Sequence, residues 1–147
     1  MRTEHTAVGG ESSEGVLREL GTYAVERGYA SEGYAEALLD REAEFPTGLS
    51  IPTAPLDVAI PHADPEYVEE SAVVLALPGD PIQFRSMDDP KETVETGVIM
   101  LLLIEDGEAY TTLLSNLSNL FQSPAFPEAV RARDPEEVLA LVDEECL

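Results

Sequence analysis

His62 is the residue of this chain whose type and surroundings best suit chemistry. It lies in Ala59-Ile-Pro-His-Ala-Asp64, between a predicted short strand over residues 57–60 and the turn Asp64-Pro65. Ligands meet α/β sheets beyond the carboxyl ends of strands, and Pro61 restricts where the imidazole can point, as in-line attack requires. A hydrogen-bonded core histidine would fit the same position, so spacing alone leaves both interpretations open.

Other sites that use histidine lack their remaining residues in this sequence. There is no Gly-x-Ser-x-Gly motif, and the one cysteine, Cys146, is the penultimate residue, which makes serine and cysteine nucleophiles unattractive. One central histidine and one terminal cysteine cannot supply a zinc site, and no P-loop or Gly-x-Gly-x-x-Gly motif indicates nucleotide binding. We therefore expect no metal and no cofactor, which leaves a lone imidazole as the nucleophile.

Arg41 places a cation on the apolar face of a helix predicted over residues 31–45. One face of that helix carries, at the spacing i, i+4, i+7 and i+11, the residues Tyr34, Leu38, Arg41 and Phe45. Arg41 is thus a candidate functional cation that points inward. The alternative is that its stem packs while its guanidinium reaches the end of the helix or pairs with a glutamate at position 42 or 44.

The hydrophobic pattern predicts a single α/β domain, with a mixed β-sheet flanked by helices. Residues 1–13 are expected to form a flexible polar lead-in and residues 14–147 the domain, with a stiff, proline-rich stretch over 47–65. The run over 98–104 is so uniformly apolar that both faces of its strand should be buried. Helices are predicted over 16–28, 31–45, 108–123 and 134–146, and strands over 49–51, 57–60, 72–77, 82–84 and 98–104.

The composition excludes several classes of partner. Thirty acidic residues against eight basic ones give a formal charge of −22, which opposes binding to nucleic acid or to an anionic membrane. The acidic residues are spread along the chain and Lys91 is the single lysine, a pattern that we interpret as adaptation to concentrated salt, with a DNA-mimicking protein as the alternative. No apolar run reaches a membrane span and the N-terminus is too polar for a signal peptide, so we expect a cytoplasmic protein without membrane insertion.

Six short motifs occur in one order across about residues 16–145. They are Ala37-Leu-Leu-Asp-Arg-Glu42, Phe45-Pro-Thr-Gly-Leu49, Val58-Ala-Ile-Pro-His-Ala-Asp64, Pro81-Ile-Gln-Phe84 with Met87, Val98-Ile-Met-Leu101 and Leu113-Leu-Ser-Asn-Leu117. Together they resemble the enzyme IIA domains of the bacterial phosphoenolpyruvate-dependent sugar phosphotransferase system (PTS), in the fructose–mannitol class and most closely its galactitol-like branch. The series Arg-Glu, Pro-Thr-Gly-Leu and Ile-Pro-His is the specific part of the signal.

The resemblance implies a phosphotransferase that works through a phosphohistidine. His62 would accept a phosphoryl group from the phosphocarrier protein HPr and pass it to an enzyme IIB, which acts with a IIC permease in uptake of a sugar of the fructose or galactitol class. It also implies that Arg41 lies near the phosphorylated imidazole and that the hydroxyl of Thr47 binds phosphate. Asp57 or Asp64 is expected either to orient the ring or to cap a turn.

This sequence departs from the mannitol type in two places. Tyr110 stands where those domains usually carry a second histidine, and its phenol is expected either to donate one hydrogen bond to phosphate or simply to pack. The segment between Leu49 and Asp57 is longer, which fits the galactitol-like branch better. Two alternative functions remain: a nitrogen-type regulatory protein of the same fold that is phosphorylated on His62, and a non-catalytic acidic interaction module in which His62 is chemically silent.

Overall fold

The computed structural model describes residues 1–51 and 57–147. Pro52 and Pro55 of the proline-rich stretch, and most of the longer segment between Leu49 and Asp57, lie outside the described residues. The elements are, in chain order, β1 (Arg2–His5), α1 (Ser13–Glu26), α2 (Tyr34–Glu44), β2 (Gly48–Leu49), β3 (Asp57–Ala59), β4 (Ala72–Ala76), β5 (Ile82–Arg85), β6 (Thr93–Leu103), α3 (Gly107–Phe121), α4 (Ala125–Arg131) and α5 (Pro135–Cys146), with a 3-10 turn at Pro65–Tyr67.

The strands form one mixed sheet in the order β1-β4-β6-β3-β2, and β5 pairs with the first residues of β6. Pairing is parallel between β1 and β4 and between β3 and β6, and antiparallel between β4 and β6, β5 and β6, and β2 and β3. The long strand β6 therefore organises the sheet, because it pairs with β3, β4 and β5 along its length. The predicted single α/β domain with a mixed sheet is confirmed.

Both faces of the sheet are covered by helices, as the apolar run in β6 predicted. Side chains of β4 and β6 alternate between two cores. One core contains Met100 and Leu102 together with residues of α3, α4 and α5, and the other contains Ile99 and Leu101 together with residues of α1 and α2. No helix within the described ranges has the length and hydropathy to cross a membrane.

The packing of α1 against α2 depends on Gly21. A Cβ atom at this position would lie 2.7 Å from the Cα atom of Ala35, closer than real Cβ atoms approach backbone. The two helices can therefore cross at that distance only because Gly21 has no side chain. The close crossing fixes where α2 places its inward-facing residues.

Four elements differ from the sequence-based expectation. Strand β6 begins at Thr93, five residues before the expected start at 98, because residues 93–96 pair with β5. Part of the expected lead-in, Arg2–His5, forms β1, a polar edge strand whose backbone pairs with β4 and which carries no hydrophobic alternation to reveal it. Helix α2 begins at Tyr34 and not after Ser31, because the Ser31 amide donates to the carbonyl of Tyr67 and Gly33 adopts a φ of 89°. Helix α4 was not predicted, although proline is tolerated in a first helical turn.

Candidate active site

His62 follows β3 at its carboxyl end, the predicted position for a reactive group. Two hydrogen bonds hold the backbone just before it. The Ile60 amide donates to the carbonyl of Thr47 (3.2 Å), and the Leu102 amide donates to the carbonyl of Pro61 (3.0 Å). The Nδ1 atom of His62 lies 2.9 Å from the carbonyl oxygen of Ile60. A carbonyl can only accept, so Nδ1 carries the proton and Nε2 holds the free lone pair.

The surroundings of His62 favour its neutral form. Burial of the ring lowers the pKa of His62 below its ordinary value, and the nearby Arg41 cation lowers it further, against the opposing effects of the hydrogen bond to Ile60 and of Asp64. Burial acts in this direction because a charged imidazolium loses more hydration than a neutral imidazole. His62 is therefore a neutral ring with one available nitrogen, the form that a nucleophile needs.

Arg41 extends from the last turn of α2 toward this histidine. Its Nη1 atom lies 3.5 Å from Oδ1 of Asp64, and its guanidinium carbon lies 4.6 Å from the centre of the exposed Phe45 ring. Its partner is thus Asp64 and neither of the two glutamates that the alternative interpretation offered. The side chains of Arg41 and Asp64 are 37% and 62% exposed, so solvent weakens this pair and leaves the cation available to an anion.

Tyr110 packs directly against the imidazole from the first turn of α3. Its ring centre lies 4.8 Å from that of His62, with the rings tilted by 59°. Its hydroxyl is buried and has no hydrogen-bond partner among the described residues. Burial raises the pKa of Tyr110, so the hydroxyl keeps its proton near neutral pH and remains a donor.

A second tyrosine, Tyr34, has the same unusual property. It is fully buried, at 0% exposure, and burial together with the nearby Tyr110 raises its pKa. Only three buried side-chain polar atoms have no partner within residues 1–51 and 57–147, and they are the hydroxyls of Tyr34 and Tyr110 and Nε of Arg41. From the sequence, Tyr34 was expected only as a residue on the apolar face of α2, the face that also carries Arg41 seven residues later.

The remaining predicted site residues have other partners. Thr47 is 1% exposed and donates its hydroxyl hydrogen to Glu42 (2.6 Å), which differs from the predicted donation to phosphate. Asp57 accepts a hydrogen bond from the Ile51 amide (3.1 Å). Glu42 belongs to the Arg-Glu motif, but from the sequence it was expected only as a possible partner of Arg41.

The structure offers few other reactive groups. Among the described residues, no three histidine, cysteine, aspartate or glutamate side chains are close enough to hold a metal ion. Cys146 is buried at the end of α5, and burial raises the pKa of its thiol to about 11, which disfavours the reactive thiolate near neutral pH. The arrangement around His62 therefore combines one nucleophilic nitrogen with a cation and the neutral hydroxyl of Tyr110, near which the hydroxyl of Tyr34 also lies.

The chain is similar to proteins of one known family. The sequence profile of the family described as "Phosphoenolpyruvate-dependent sugar phosphotransferase system, EIIA 2" matches residues 4–145. The galactitol-specific EIIA component of the PTS from Escherichia coli K12 is 30% identical over 115 residues, which cover 78% of this chain and 75% of that protein.

Two solved structures show the same fold. The complex of mannitol enzyme IIA with phosphorylated enzyme IIB from E. coli matches with a TM-score of 0.74 and 21% identity, over 96% of this chain and 94% of that one. The nitrogen regulatory protein IIA-Ntr from Neisseria meningitidis matches with a TM-score of 0.71 and 23% identity, over 95% and 92%. The predicted mannitol-type fold is confirmed, and the chain belongs to the EIIA 2 family of the phosphoenolpyruvate-dependent sugar phosphotransferase system.

Proposed function

We propose that this chain is a cytoplasmic phosphocarrier in which Nε2 of His62 receives and donates a phosphoryl group. In the first step the Nε2 lone pair bonds to phosphorus while the bond from phosphorus to the donor histidine of HPr breaks. In the second step a cysteine thiolate of enzyme IIB attacks the phosphorus, and the electron pair of the N–P bond returns to Nε2. The observation that supports this most directly is the hydrogen bond from Nδ1 to Ile60, which leaves Nε2 unprotonated.

The neighbouring donors suit a phosphoryl group in transfer. Such a group carries negative charge on three oxygens, and its transfer depends mainly on positioning and on donors that oppose this charge. Arg41 supplies a cation, while the hydroxyls of Tyr110 and Tyr34 supply uncharged donors that have no partner within the described parts of the chain. We assign these three residues to the phosphoryl oxygens, with Arg41 most important because the chain as a whole carries −22.

The relatives support particular partners. The galactitol-specific relative favours a role in uptake of a polyol of that class, with fructose as the neighbouring class, and the mannitol complex contains a phosphorylated IIB. We therefore propose a IIB protein, together with its IIC permease, as acceptor. At high ionic strength the charges of the two proteins would be screened, so docking would depend on apolar contact around His62 and on pairing at Arg41.

The decisive experiment is phosphorylation with phosphoenolpyruvate, enzyme I and HPr. We expect one phosphate per chain, labile to acid and stable to base, that disappears in His62→Ala. The matched control is His5→Ala, which removes the other histidine of the chain, on β1, and should be phosphorylated like the natural protein. Absence of phosphate on the natural protein, or its persistence in His62→Ala, would contradict the proposal and favour the silent interaction module.

Transfer onward separates transport from regulation. Incubation of the phosphorylated chain with each IIB protein of the same cell should move the phosphate to a IIB cysteine. If His62 is phosphorylated but no IIB accepts the group, the regulatory alternative is favoured, a role for which IIA-Ntr shows that the fold is suited.

A further inference from the structure

Glu42 is a buried carboxylate that the proposed transfer does not use. It is 9% exposed, and its two oxygens accept hydrogen bonds from the amide (2.8 Å) and the hydroxyl (2.6 Å) of Thr47. Burial raises the pKa of Glu42, while the two bonds from Thr47 and the charge of Arg85 act in the opposite direction. A buried carboxylate with two donors from a single residue is an anchor for that residue's backbone.

A continuous series of hydrogen bonds joins this anchor to the imidazole. The carbonyl of Thr47 accepts from the Ile60 amide at 3.2 Å, and the carbonyl of Ile60 accepts from Nδ1 of His62 at 2.9 Å. Pairing of β2 with β3 next to this point, at Gly48 and Ala59, holds the two backbones in register. The position of the carbonyl that keeps the proton on Nδ1 therefore depends on Thr47, which Glu42 holds.

The same turn of α2 also carries the cation of the site. Successive residues of a helix point about 100° apart, so adjacent positions reach different neighbours. Arg41 reaches Asp64 beside His62, while Glu42 reaches Thr47. Arg85 further stabilises the end of this helix, because its guanidinium donates to the carbonyls of Glu42 and Ala43.

We propose that Glu42 is a positioning residue that acts through Thr47 to hold the imidazole of His62 in the Nδ1–H tautomer and at a fixed place relative to Arg41. The inference concerns the unphosphorylated ring and extends the proposed phosphocarrier function, on which its kinetic consequence rests. It also gives Thr47 a role that requires no contact with phosphate. Glu42 itself touches no reacting atom.

The test compares two substitutions of one residue. Thr47→Val removes the hydroxyl donor while keeping the shape and the amide, and Thr47→Ser keeps the donor. The first readout is the 15N spectrum of the imidazole in the unphosphorylated protein, which distinguishes Nδ1–H from Nε2–H. We expect the natural protein and Thr47→Ser to show the Nδ1–H form, and Thr47→Val to show a mixture, with phosphorylation of His62 slowed about tenfold.

Thr96→Val is the matched control for loss of stability. Thr96 is fully buried and donates its hydroxyl to the Ile82 carbonyl at 2.8 Å, so its substitution also deletes a buried hydrogen bond, but at a site outside the series that leads to His62. We expect it to lower Tm as Thr47→Val does while leaving the tautomer and the rate per folded molecule unchanged. A purely structural role for Glu42 and Thr47 would make the two variants alike in all three measurements.

Glu42→Met is the second variant and decides the question if Thr47→Val does not fold. The thioether keeps the length of the side chain but offers no carboxylate to the two Thr47 donors, so a mixed tautomer and a slowed rate are again expected. Wild-type tautomer and rate in folded Thr47→Val or Glu42→Met would overturn the inference. If the natural protein is not phosphorylated at all, the proposed function fails, whereas the tautomer measurement still decides the positioning role.

Discussion

Two clusters in this protein combine tyrosines with an arginine, and they differ in whether the chain supplies the anion between them. In the Glu4 cluster, formed by Glu4, Tyr23, Arg27 and Tyr29, the carboxylate accepts from the hydroxyls of Tyr23 (2.5 Å) and Tyr29 (2.7 Å) and from two nitrogens of Arg27 (3.1 and 3.2 Å). Burial would raise the pKa of Glu4, but these hydrogen bonds outweigh it and lower the pKa. Both tyrosine hydroxyls and two nitrogens of Arg27 donate to this carboxylate, and the cluster joins β1 to α1 and to the residues that follow α1.

In the His62 cluster, formed by His62, Tyr34, Arg41 and Tyr110, no carboxylate takes the corresponding place. Arg41 reaches Asp64 only at 3.5 Å, and within the described residues its Nε and both tyrosine hydroxyls have no partner. A buried polar group without a partner costs about 1 to 3 kcal/mol, so this arrangement is unfavourable for the fold alone. The same residue types therefore form a structural contact where the chain provides the anion and a candidate binding site where it does not.

Replacing the arginine of each cluster by glutamine should give the largest difference in phosphorylation rate between the clusters. We expect Arg41→Gln to slow phosphorylation of His62 about 100-fold, because it removes the cation that faces the phosphoryl oxygens, and to leave the fold intact. Arg27→Gln, its matched control in the Glu4 cluster, should leave the rate unchanged. Quench-flow transfer from phospho-HPr measures both, and an unchanged rate in Arg41→Gln would return Arg41 to a packing role.

Removing single hydroxyls should produce opposite effects in the two clusters. Tyr110→Phe should slow transfer about tenfold while Tm stays the same or rises, since the buried hydroxyl that it loses has no partner among the described residues. Tyr23→Phe deletes a hydrogen bond to Glu4, so it should cost about 1 kcal/mol, or about 2 to 4 °C in Tm, with an unchanged transfer rate.

Tyr34→Phe sharpens this test because it separates the two tyrosines near His62. We expect it to behave like Tyr110→Phe, with slower transfer and no loss of Tm by scanning calorimetry. If Tyr34→Phe lowers Tm as Tyr23→Phe does, its hydroxyl belongs to the core and the similarity between the two unpartnered phenols is lost.

The pH dependence should distinguish His62 from an ordinary exposed histidine. Because burial and Arg41 lower its pKa, the ring stays neutral to a pH below the usual 6.5 of histidine, and phosphorylation should fall only as pH drops through that lowered value. Arg41→Gln should move the pKa back toward 6.5, since it removes a nearby positive charge. NMR titration of the ring protons measures this shift, and a pKa of 6.5 or above in the natural protein would contradict it.

Transfer to low salt tests the acidic surface outside both clusters. Of these changes, it should have the smallest effect on the His62 cluster. The formal charge of −22 is screened over about 3 Å at 1 M salt but over about 30 Å at 0.01 M. We expect Tm to fall by several degrees on transfer to low salt, through repulsion among carboxylates. An equal Tm at high and low salt would contradict the interpretation of the acidic surface as salt adaptation. It would not affect the difference between the two clusters.

The elements with strong local signals were predictable from sequence. Helix α5 begins as expected, with Asp134 capping the amides of Glu136 and Glu137 and proline at its first position. Over residues 98–103, strand β6 is buried on both faces because its apolar run has no polar side chain for solvent. By contrast, β1 has polar side chains throughout, and its pairing with β4 arises from backbone hydrogen bonds between distant segments, which no local pattern reveals.

The residues of the candidate site divide in the same way. Arg41 was conspicuous because a charge on an apolar helix face breaks a periodic pattern, and His62 because it follows a short strand within a specific motif. The candidate role of Tyr34 could not be predicted, because a tyrosine on an apolar helix face is expected to be a core residue. Only the structure shows that its hydroxyl has no partner among the described residues. Thr47 lies in a motif whose family resemblance implies that its hydroxyl binds phosphate. Its hydrogen bond to Glu42 could be identified only in the folded chain.

The class of fold, the family resemblance, and the two residues on which the chemistry is proposed to depend, His62 and Arg41, were predictable from the amino-acid sequence. These follow from periodicity and short motifs, which act over a few neighbouring residues. Only the tertiary structure decided which hydroxyls remain without partners, which nitrogen of His62 carries the proton, and that Glu42 holds the backbone beside it. Hydrogen bonds are directional and join residues far apart in the chain, so their assignment requires the packed fold.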